Sequence, residues 1–467
     1  MTDDAALLSA TELLAAYRDK RLSPVEATQA ALDRIEQLNG QLNAFCLLDR
    51  EGALAAAADS EKRWQAGQPQ GRLDGVPLSV KDLLLTKGWP TQRGSHSIDP
   101  AGPWTEDAPA VARVREHKAI LLGKTTTPEF GWKGVTDSGL TGITRNPWDP
   151  EKTPGGSSGG AAVAAATGMG ALHFGTDGGG SVRIPCAFTG IPGLKPSFGR
   201  VPAYPLSPFG TVSHVGPMAR TVADLALMLT AIAEPDPRDP YALPYDGEDF
   251  GADLESGVEG LRIAYLPTMA GHAVHPEVAE AAAYAAARFE ELGAKVEQPE
   301  LDLPDTDGAF AYHWYAGAAL LLSGIPEERR ERIDPGLREI AAQAGHFTLI
   351  DYLRAVKVRE GFTQRMNQVH ETYDLLLLPS VPIPAFEAGA EWPAGSGARR
   401  WTDWTPFSYP FNLTGQPAVS LPCGLTSANL PIGLQLVGPR YQDALVLRAA
   451  RAFERSYPAP LPPLAAR

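Results

Sequence analysis

Residues 175–185 read GTDGGGSVRIP, and a shorter run, GGSSGG, occupies residues 155–160. Either run alone is typical of a turn or of a phosphate-binding loop before a helix. Together they favour catalysis, because consecutive backbone N–H groups can converge on one point only where no side chains intervene. The longer run therefore predicts a nucleophilic Ser181 beside an oxyanion hole, which is formed by Gly178, Gly179, Gly180 and Ser181.

A serine nucleophile needs a base, and Lys81 is the strongest candidate. It follows the apolar segment GVPLSV at residues 75–80, so we expect its amine to be partly desolvated and its pKa to be lowered. The alternative interpretation is an ordinary surface lysine. His173 and His214 are weaker candidates for the base, since neither lies in a recognisable catalytic motif.

Composition restricts the class of protein. The chain has 467 residues, of which 44% are hydrophobic, and a formal net charge of −14, which disfavours a nucleic-acid partner. Nine histidines and three cysteines show no metal-ligand spacing, so we expect neither a metal nor another cofactor. Three widely spaced cysteines, an acidic start at residues 1–4 and the lack of a long apolar run predict a cytoplasmic protein without a membrane segment.

Alternating helical and strand patterns predict one large α/β domain over residues 1–467. Capping boxes at Ser9 and Ser23 predict helices over 10–19 and 24–38. Further helices are expected at 51–66, 107–117, 159–168 and 275–292, and after Thr221. Strands are expected at 76–80, 119–122, 261–266, 295–299, 375–378, 418–421 and 433–437. Residues 146–216 are otherwise predicted to be loops, and about 305–370 to be a mostly helical, cap-like insertion.

Three separated blocks resemble the amidase signature family: residues 75–88, 145–202 and 411–418. Their order and spacing both match, since Ser181 follows Ser157 by 24 residues and Lys81 by 100 residues. The resemblance implies a mixed, mostly parallel central β-sheet flanked by helices. It also implies a catalytic triad of Ser181, Ser157 and Lys81, in which the Gly156–Ser157 peptide is cis and Ser157 bridges the other two. The supporting positions are Ser158, Asp177 and Arg183.

The same resemblance implies a stand-alone amidase. It would hydrolyse a C–N acyl bond of a small carboxamide, anilide or carbamate through an acyl-enzyme on Ser181, as a monomer or homodimer. The alternatives are a glutamine-hydrolysing subunit of a tRNA-dependent amidotransferase, or an esterase or peptide-amide hydrolase of the same family. Glutamine-using subunits have an aspartate seven residues before the asparagine that corresponds to Asn412, where this chain has Thr405. We therefore expect an apolar substrate pocket at Trp404, Thr405 and Phe407.

Overall fold

The computed structural model describes residues 4–465, so the first three residues of the acidic start and the last two residues of the expected 1–467 domain lie outside the described residues. Its strands are β1 (Phe45–Leu48), β2 (Pro77–Lys81), β3 (Ile120–Thr125), β4 (Asp137–Ser138), β5 (Gly142–Ile143), β6 (Leu172–Asp177), β7 (Gly193–Lys195), β8 (His214–Ala219), β9 (Arg262–Tyr265), β10 (Lys295–Glu297), β11 (Leu375–Pro379), β12 (Ala418–Leu425) and β13 (Pro431–Val437).

The helices have the following bounds: α1 (Ala10–Arg18), α2 (Pro24–Leu42), α3 (Arg50–Gln65), α4 (Pro109–Glu116), α5 (Gly159–Thr167), α6 (Arg183–Thr189), α7 (Val222–Ile232), α8 (Pro276–Glu291), α9 (Asp307–Ser323), α10 (Glu327–Arg330), α11 (Pro335–Ala344), α12 (Leu349–Val369), α13 (Pro410–Leu413) and α14 (Asp443–Ser456). Both predicted capping boxes are present. The Ser9 and Ser23 hydroxyl groups each accept a hydrogen bond from the backbone N–H three residues later, and the glutamate carboxylate at that position accepts one from the backbone N–H of the serine.

Across the described residues, eleven strands form one sheet in the order β1-β3-β2-β6-β8-β7-β12-β13-β11-β9-β10, and β4 pairs with β5. The predicted α/β class, with a mixed sheet flanked by helices, is confirmed. Parallel pairings join β3, β2 and β6, and again β11, β9 and β10. The strands between these two groups pair antiparallel, which is a larger antiparallel share than expected. For β12 and β13 the reason is the short connection at residues 426–430, which cannot hold a parallel crossover.

The segment 146–216 is more regular than the sequence indicated. It contains β6, β7, β8 and α6 in addition to the expected helix α5. Strands β6 and β8 lie inside the sheet and are almost wholly buried, so they show no alternation of polar and apolar residues. Their glycine and proline residues also disfavour a strand. Pairing with neighbouring strands therefore overrides their weak local preference.

Helix α5 is buried along its whole length. Its small side chains allow close approach to the sheet, and a β-carbon at Gly160 would clash with Thr126 and with the carbonyl oxygen of Ala44. The helix begins two residues after Ser157, so this tight packing fixes the position of the GGSSGG run.

Residues 305–370 hold the four helices α9–α12. Helix α9 contributes to a buried hydrophobic cluster, in which Phe310 and Trp314 both pack against Trp401. The role of this segment as a cap stays a prediction.

Candidate active site

Lys81 is the last residue of β2 and is fully buried between the neighbouring strands β3 and β6. Its Nζ atom lies 2.7 Å from Ser157 Oγ, 2.8 Å from Ser158 Oγ and 2.9 Å from Thr176 Oγ1. Burial lowers the pKa of Lys81 well below its usual value, and the charge of Asp177 offsets only part of this effect. The amine is thus surrounded by hydroxyl groups, and no ion pair within residues 4–465 involves it.

The neighbouring carboxylate, Asp82, faces away from this centre. It accepts a hydrogen bond from the backbone N–H of Gly94 at 3.2 Å, and its other oxygen lies 3.8 Å from Lys124 Nζ. This is the arrangement that an extended backbone predicts, because successive side chains point to opposite sides.

The peptide bond between Gly156 and Ser157 is cis, as the family resemblance implied. The Ser157 side chain is buried next to Gly131, where a β-carbon would lie 3.2 Å from Ser157 Oγ. Residues 4–465 contain no hydrogen bond between the hydroxyl groups of Ser157 and Ser181. These residues are joined indirectly, since the backbone N–H of Ser158 donates to the carbonyl oxygen of Ser181 at 3.1 Å.

The loop that carries Ser181 is held by a buried ion pair. Strand β6 ends at Asp177 and helix α6 begins at Arg183, and both side chains are fully buried. Arg183 Nε donates to Asp177 Oδ2 at 2.9 Å, and Nη2 donates to Oδ1 at 2.8 Å. Burial alone would raise the pKa of Asp177, but the Arg183 guanidinium outweighs it and holds the pKa well below its usual range.

The same carboxylate also orients the backbone of the loop. Gly180 N–H donates to Asp177 Oδ1 at 2.8 Å, and Val182 N–H donates to Oδ2 at 3.1 Å. The Gly180 N–H is therefore already engaged by Asp177 in this structure, and the four-residue oxyanion hole stays a prediction. Position 180 requires a glycine for another reason. Its φ is 126°, and a β-carbon there would clash with the Ser408 side chain.

Three backbone N–H groups of this loop remain without an acceptor within the described part of the chain: those of Gly178, Gly179 and Ser181. All three lie within three residues of Ser181 along the chain. Buried N–H groups are normally hydrogen-bonded, so a set of free donors beside a serine indicates a place for a ligand oxygen.

His173 and His214, the two histidines considered as bases, form no hydrogen bond with Ser157 or Ser181 in the described residues. His173 is buried, with Nδ1 2.8 Å from Ser79 Oγ, and burial lowers its pKa to about 3. His214 Nδ1 lies 2.8 Å from the carbonyl oxygen of Val212, and burial also lowers its pKa. Both rings are committed to structural hydrogen bonds.

The predicted pocket residues Trp404, Thr405 and Phe407 are buried in the protein interior. The Trp404 ring stacks on Phe188, the Thr405 hydroxyl donates to the carbonyl oxygen of Trp401 at 3.2 Å, and Phe407 is fully buried. None of these three lines the cavity described next. Trp401 is closer to the loop, because a β-carbon at Gly179 would lie 2.6 Å from its ring.

A cavity of about 220 Å³ opens beside Lys81. Its wall includes Thr176, whose hydroxyl contacts the Lys81 amine, and Leu83, two residues after Lys81. Most of the remaining wall is apolar and includes Phe130, residues 196–199, residues 201–211 and Leu321. Lys81, Ser157 and Ser181 do not themselves line this mainly apolar cavity, and Thr176 is the residue that joins its wall to the Lys81 amine.

Several residues of the site gave no signal in the sequence. Thr176 is one of three hydroxyl contacts of Lys81, but a threonine in a strand is unremarkable. Asn412 and Gln435 both hydrogen-bond Arg183 from elements far along the chain. Asn412 lies in the third family block, so that block marked its importance without revealing its partner.

Residues 4–465 contain no cluster of three His, Cys, Asp or Glu side chains that could hold a metal ion. No helix of the described chain has the length and apolar character that are needed to cross a membrane.

The likeness of this chain to known proteins extends over nearly its whole length. The model of the family described as Amidase matches residues 26–447. The chain belongs to the amidase family. An acylamidase of Rhodococcus erythropolis is 38% identical over 459 residues, which cover 97% of this chain and 96% of that protein. The solved structure of a bacterial aryl acylamidase of the amidase signature family has a TM-score of 0.90 and 32% identity, covering 97% of this chain and 96% of that one.

A relative of a different kind is a glutamyl-tRNA(Gln) amidotransferase subunit from Myxococcus xanthus (strain DK1622). It is 38% identical over 484 residues, which cover 96% of this chain and 97% of that protein. The predicted family, activity and enzyme class are confirmed: this amidase is a hydrolase that acts on C–N bonds other than peptide bonds.

Removal of the Arg183 guanidinium should destabilise this amidase strongly. Arg183→Met leaves the buried Asp177 carboxylate without its counter-ion, and breaking such a pair costs about 3–5 kcal/mol. Urea denaturation at neutral pH measures the loss. The matched control is Arg72→Gln, which breaks the exposed ion pair with Asp249 and should cost at most about 1 kcal/mol. Equal denaturation midpoints for both variants would contradict the account.

Proposed function

We propose that this protein is a stand-alone amidase that forms an acyl-enzyme on Ser181. The observation that carries the proposal is the buried Lys81 amine, which lies 2.7 Å from the Ser157 hydroxyl and has only hydroxyl groups around it. A lysine in this setting is neutral, and a neutral amine accepts a proton. The acylamidase relatives support the assignment.

In the first step, Ser181 Oγ attacks the carbonyl carbon of the amide. Its proton passes to Ser157, and the proton of Ser157 passes to the Lys81 amine. A hydroxyl group can serve as this relay because it donates and accepts at the same time. The hydrogen bond between Ser157 and Ser181 is expected to form when substrate binds, since catalytic hydrogen bonds often tighten only in the complex.

The negative charge that develops on the substrate oxygen is stabilised by the backbone. The N–H groups of Gly178, Gly179 and Ser181 are the proposed donors, and Gly180 supports them through its bond to Asp177. Arg183 and Asp177 act through the loop conformation, without contacting substrate. Ser158 is a positioning residue, because its hydroxyl contacts Lys81 and accepts from the backbone N–H of Thr176.

The C–N bond then breaks. Lys81 returns the proton through Ser157 to the leaving nitrogen, so the amine departs neutral and Ser181 holds the acyl group as an ester. A water molecule attacks this ester and gives its proton to the same relay. The carboxylic acid leaves, and the free Ser181 hydroxyl is restored.

The substrate is proposed to be a small amide, anilide or carbamate with an apolar body, because the cavity beside Lys81 is mainly apolar. The α9–α12 insertion is the proposed cap, since Phe310 and Trp314 of α9 lie against the loop glycines. We further propose a cytoplasmic monomer or homodimer that needs no cofactor, nucleic acid or membrane. The role in a tRNA-dependent amidotransferase is the second candidate, because a component of such an enzyme is among the relatives.

The pH dependence of catalysis should report on Lys81. The neutral form of Lys81 is the base. Activity is therefore full above the lowered pKa and is lost as the pH falls through it. We expect kcat/KM to rise with pH and to level off well below the ordinary lysine value of 10.5. Lys81→Ala should lower kcat/KM by about 10²–10⁴-fold. A profile that levels off only above pH 10.5, or near-normal turnover in Lys81→Ala, would contradict the mechanism.

A substrate panel separates the two candidate functions. We expect apolar aryl amides and aryl carbamates to exceed glutamine in kcat/KM, because apolar walls contribute roughly 25 cal/mol per Å² of buried apolar surface. Release of arylamine and of ammonia measures the two reactions. Ser181→Ala is the control for both. If glutamine proved the best substrate, the stand-alone assignment would fail.

A further inference from the structure

One charged side chain in the wall of the cavity has no hydrogen-bond or ion-pair partner in the described part of the chain. Arg93 is half-buried and lines the cavity together with Thr176 and Leu83. Its guanidinium forms no hydrogen bond or ion pair with any residue from 4 to 465. Burial lowers the pKa of Arg93, although the charge of Asp82 opposes the shift. A guanidinium nevertheless stays protonated in proteins, so this part of the cavity carries a positive charge.

The backbone holds Arg93 in this place. Its φ is 56°, in the left-handed region that residues with a β-carbon rarely adopt. The N–H of Phe130 donates to the Arg93 carbonyl oxygen at 2.7 Å, and Gly94 N–H donates to the Asp82 carboxylate at 3.2 Å. Strain of this kind persists only where surrounding contacts impose it, and it occurs preferentially at functional sites.

The other ionisable groups of the wall do not neutralise Arg93. The Asp239 carboxylate accepts hydrogen bonds from the N–H groups of Ala203 and Tyr241, each at 2.8 Å. His214 is held by the carbonyl oxygen of Val212, and burial keeps it neutral. A half-buried guanidinium without a partner loses part of its hydration, and a bound anion would offset that cost.

We propose that Arg93 is a specificity-determining residue that pairs with a carboxylate group of the substrate. The preferred amide then has an apolar body, which fills the cavity, and an anionic end. A carboxylate fits because its two oxygens match the forked donors of a guanidinium. This inference rests on the proposed function and narrows its substrate class.

The test compares substrates that differ only in the charge. One arm uses 4-nitroanilides of linear dicarboxylic acids and of monocarboxylic acids with the same number of chain atoms. The other arm uses acetanilides with a carboxylate or a methyl group on the ring. The readout is the ratio of kcat/KM for the charged and neutral members of each pair. The arm that responds shows which side of the scissile bond reaches Arg93.

In the wild type we expect the charged member to be favoured about tenfold or more in one arm, which corresponds to one charge-assisted interaction. Arg93→Gln should reduce this ratio to about one or below, and Arg93→Lys should give a reduced preference, because it keeps the charge without the fork. Arg72→Gln removes a surface charge of the same sign and should keep the wild-type ratio.

A ratio that is unchanged in both Arg93 variants, or a wild type that prefers the neutral member in both arms, would overturn the inference. Thermal unfolding of each variant verifies that it is folded. Where Arg93→Gln does not fold, the kcat/KM ratio of Arg93→Lys tests the inference. Failure of the proposed function has a different signature. In that case either no substrate of any pair is hydrolysed, or hydrolysis continues unchanged in Ser181→Ala.

Discussion

The buried ion pair between Asp177 and Arg183 is the interaction on which the site depends. Each N–H donor of Arg183 finds an acceptor inside the protein: Asp177, the carbonyl oxygen of Ser408, Asn412 and Gln435. These partners belong to distant parts of the chain, so one guanidinium joins β6, α6, α13 and β13. The Asp177 carboxylate in turn binds backbone N–H groups of the loop and fixes the orientation of Ser181.

Two buried basic side chains beside this loop meet opposite environments. Arg183 faces a carboxylate, and its charge is retained because it is paired. Lys81 faces hydroxyl groups, and burial therefore lowers its pKa. Lys124, on the neighbouring strand β3, has an environment between these two. Burial lowers its pKa to about 8, while the Asp82 carboxylate at 3.8 Å opposes the shift. Partner chemistry thus separates a structural cation from a candidate base within one sheet.

Local signals in the sequence predicted those parts of the fold that rest on local interactions. The capping boxes at Ser9 and Ser23 and the amphipathic helix α8 are examples. Strands β6 and β8 were missed, because they are buried on both faces and their order comes from neighbouring strands. The family resemblance implied a mixed sheet, but local signals did not show which strands pair antiparallel, since that depends on which distant segments meet.

The candidate site follows the same division. Lys81, Ser157 and Ser181 were recognisable because they lie in motifs with a fixed spacing, and the structure brings Lys81 and Ser157 into contact. The commitment of Gly180 to Asp177 could not be read from four equivalent loop positions. The pocket prediction relied on aromatic residues near Asn412; Trp404 and Phe407 are buried and do not line the cavity, so their role in binding stays a prediction. Arg93 gave no signal, because its lack of a partner is a property of the folded cavity.

The central claim is that Ser181, and not Ser157, is the group that becomes acylated. Labelling with a phosphonylating reagent directed at serine hydrolases, followed by intact-mass measurement and peptide mapping, tests it most directly. The account predicts one adduct per chain, located on Ser181, slow labelling of Lys81→Ala and no labelling of Ser181→Ala. An adduct on Ser157, or equal labelling of Ser181→Ala, would contradict it.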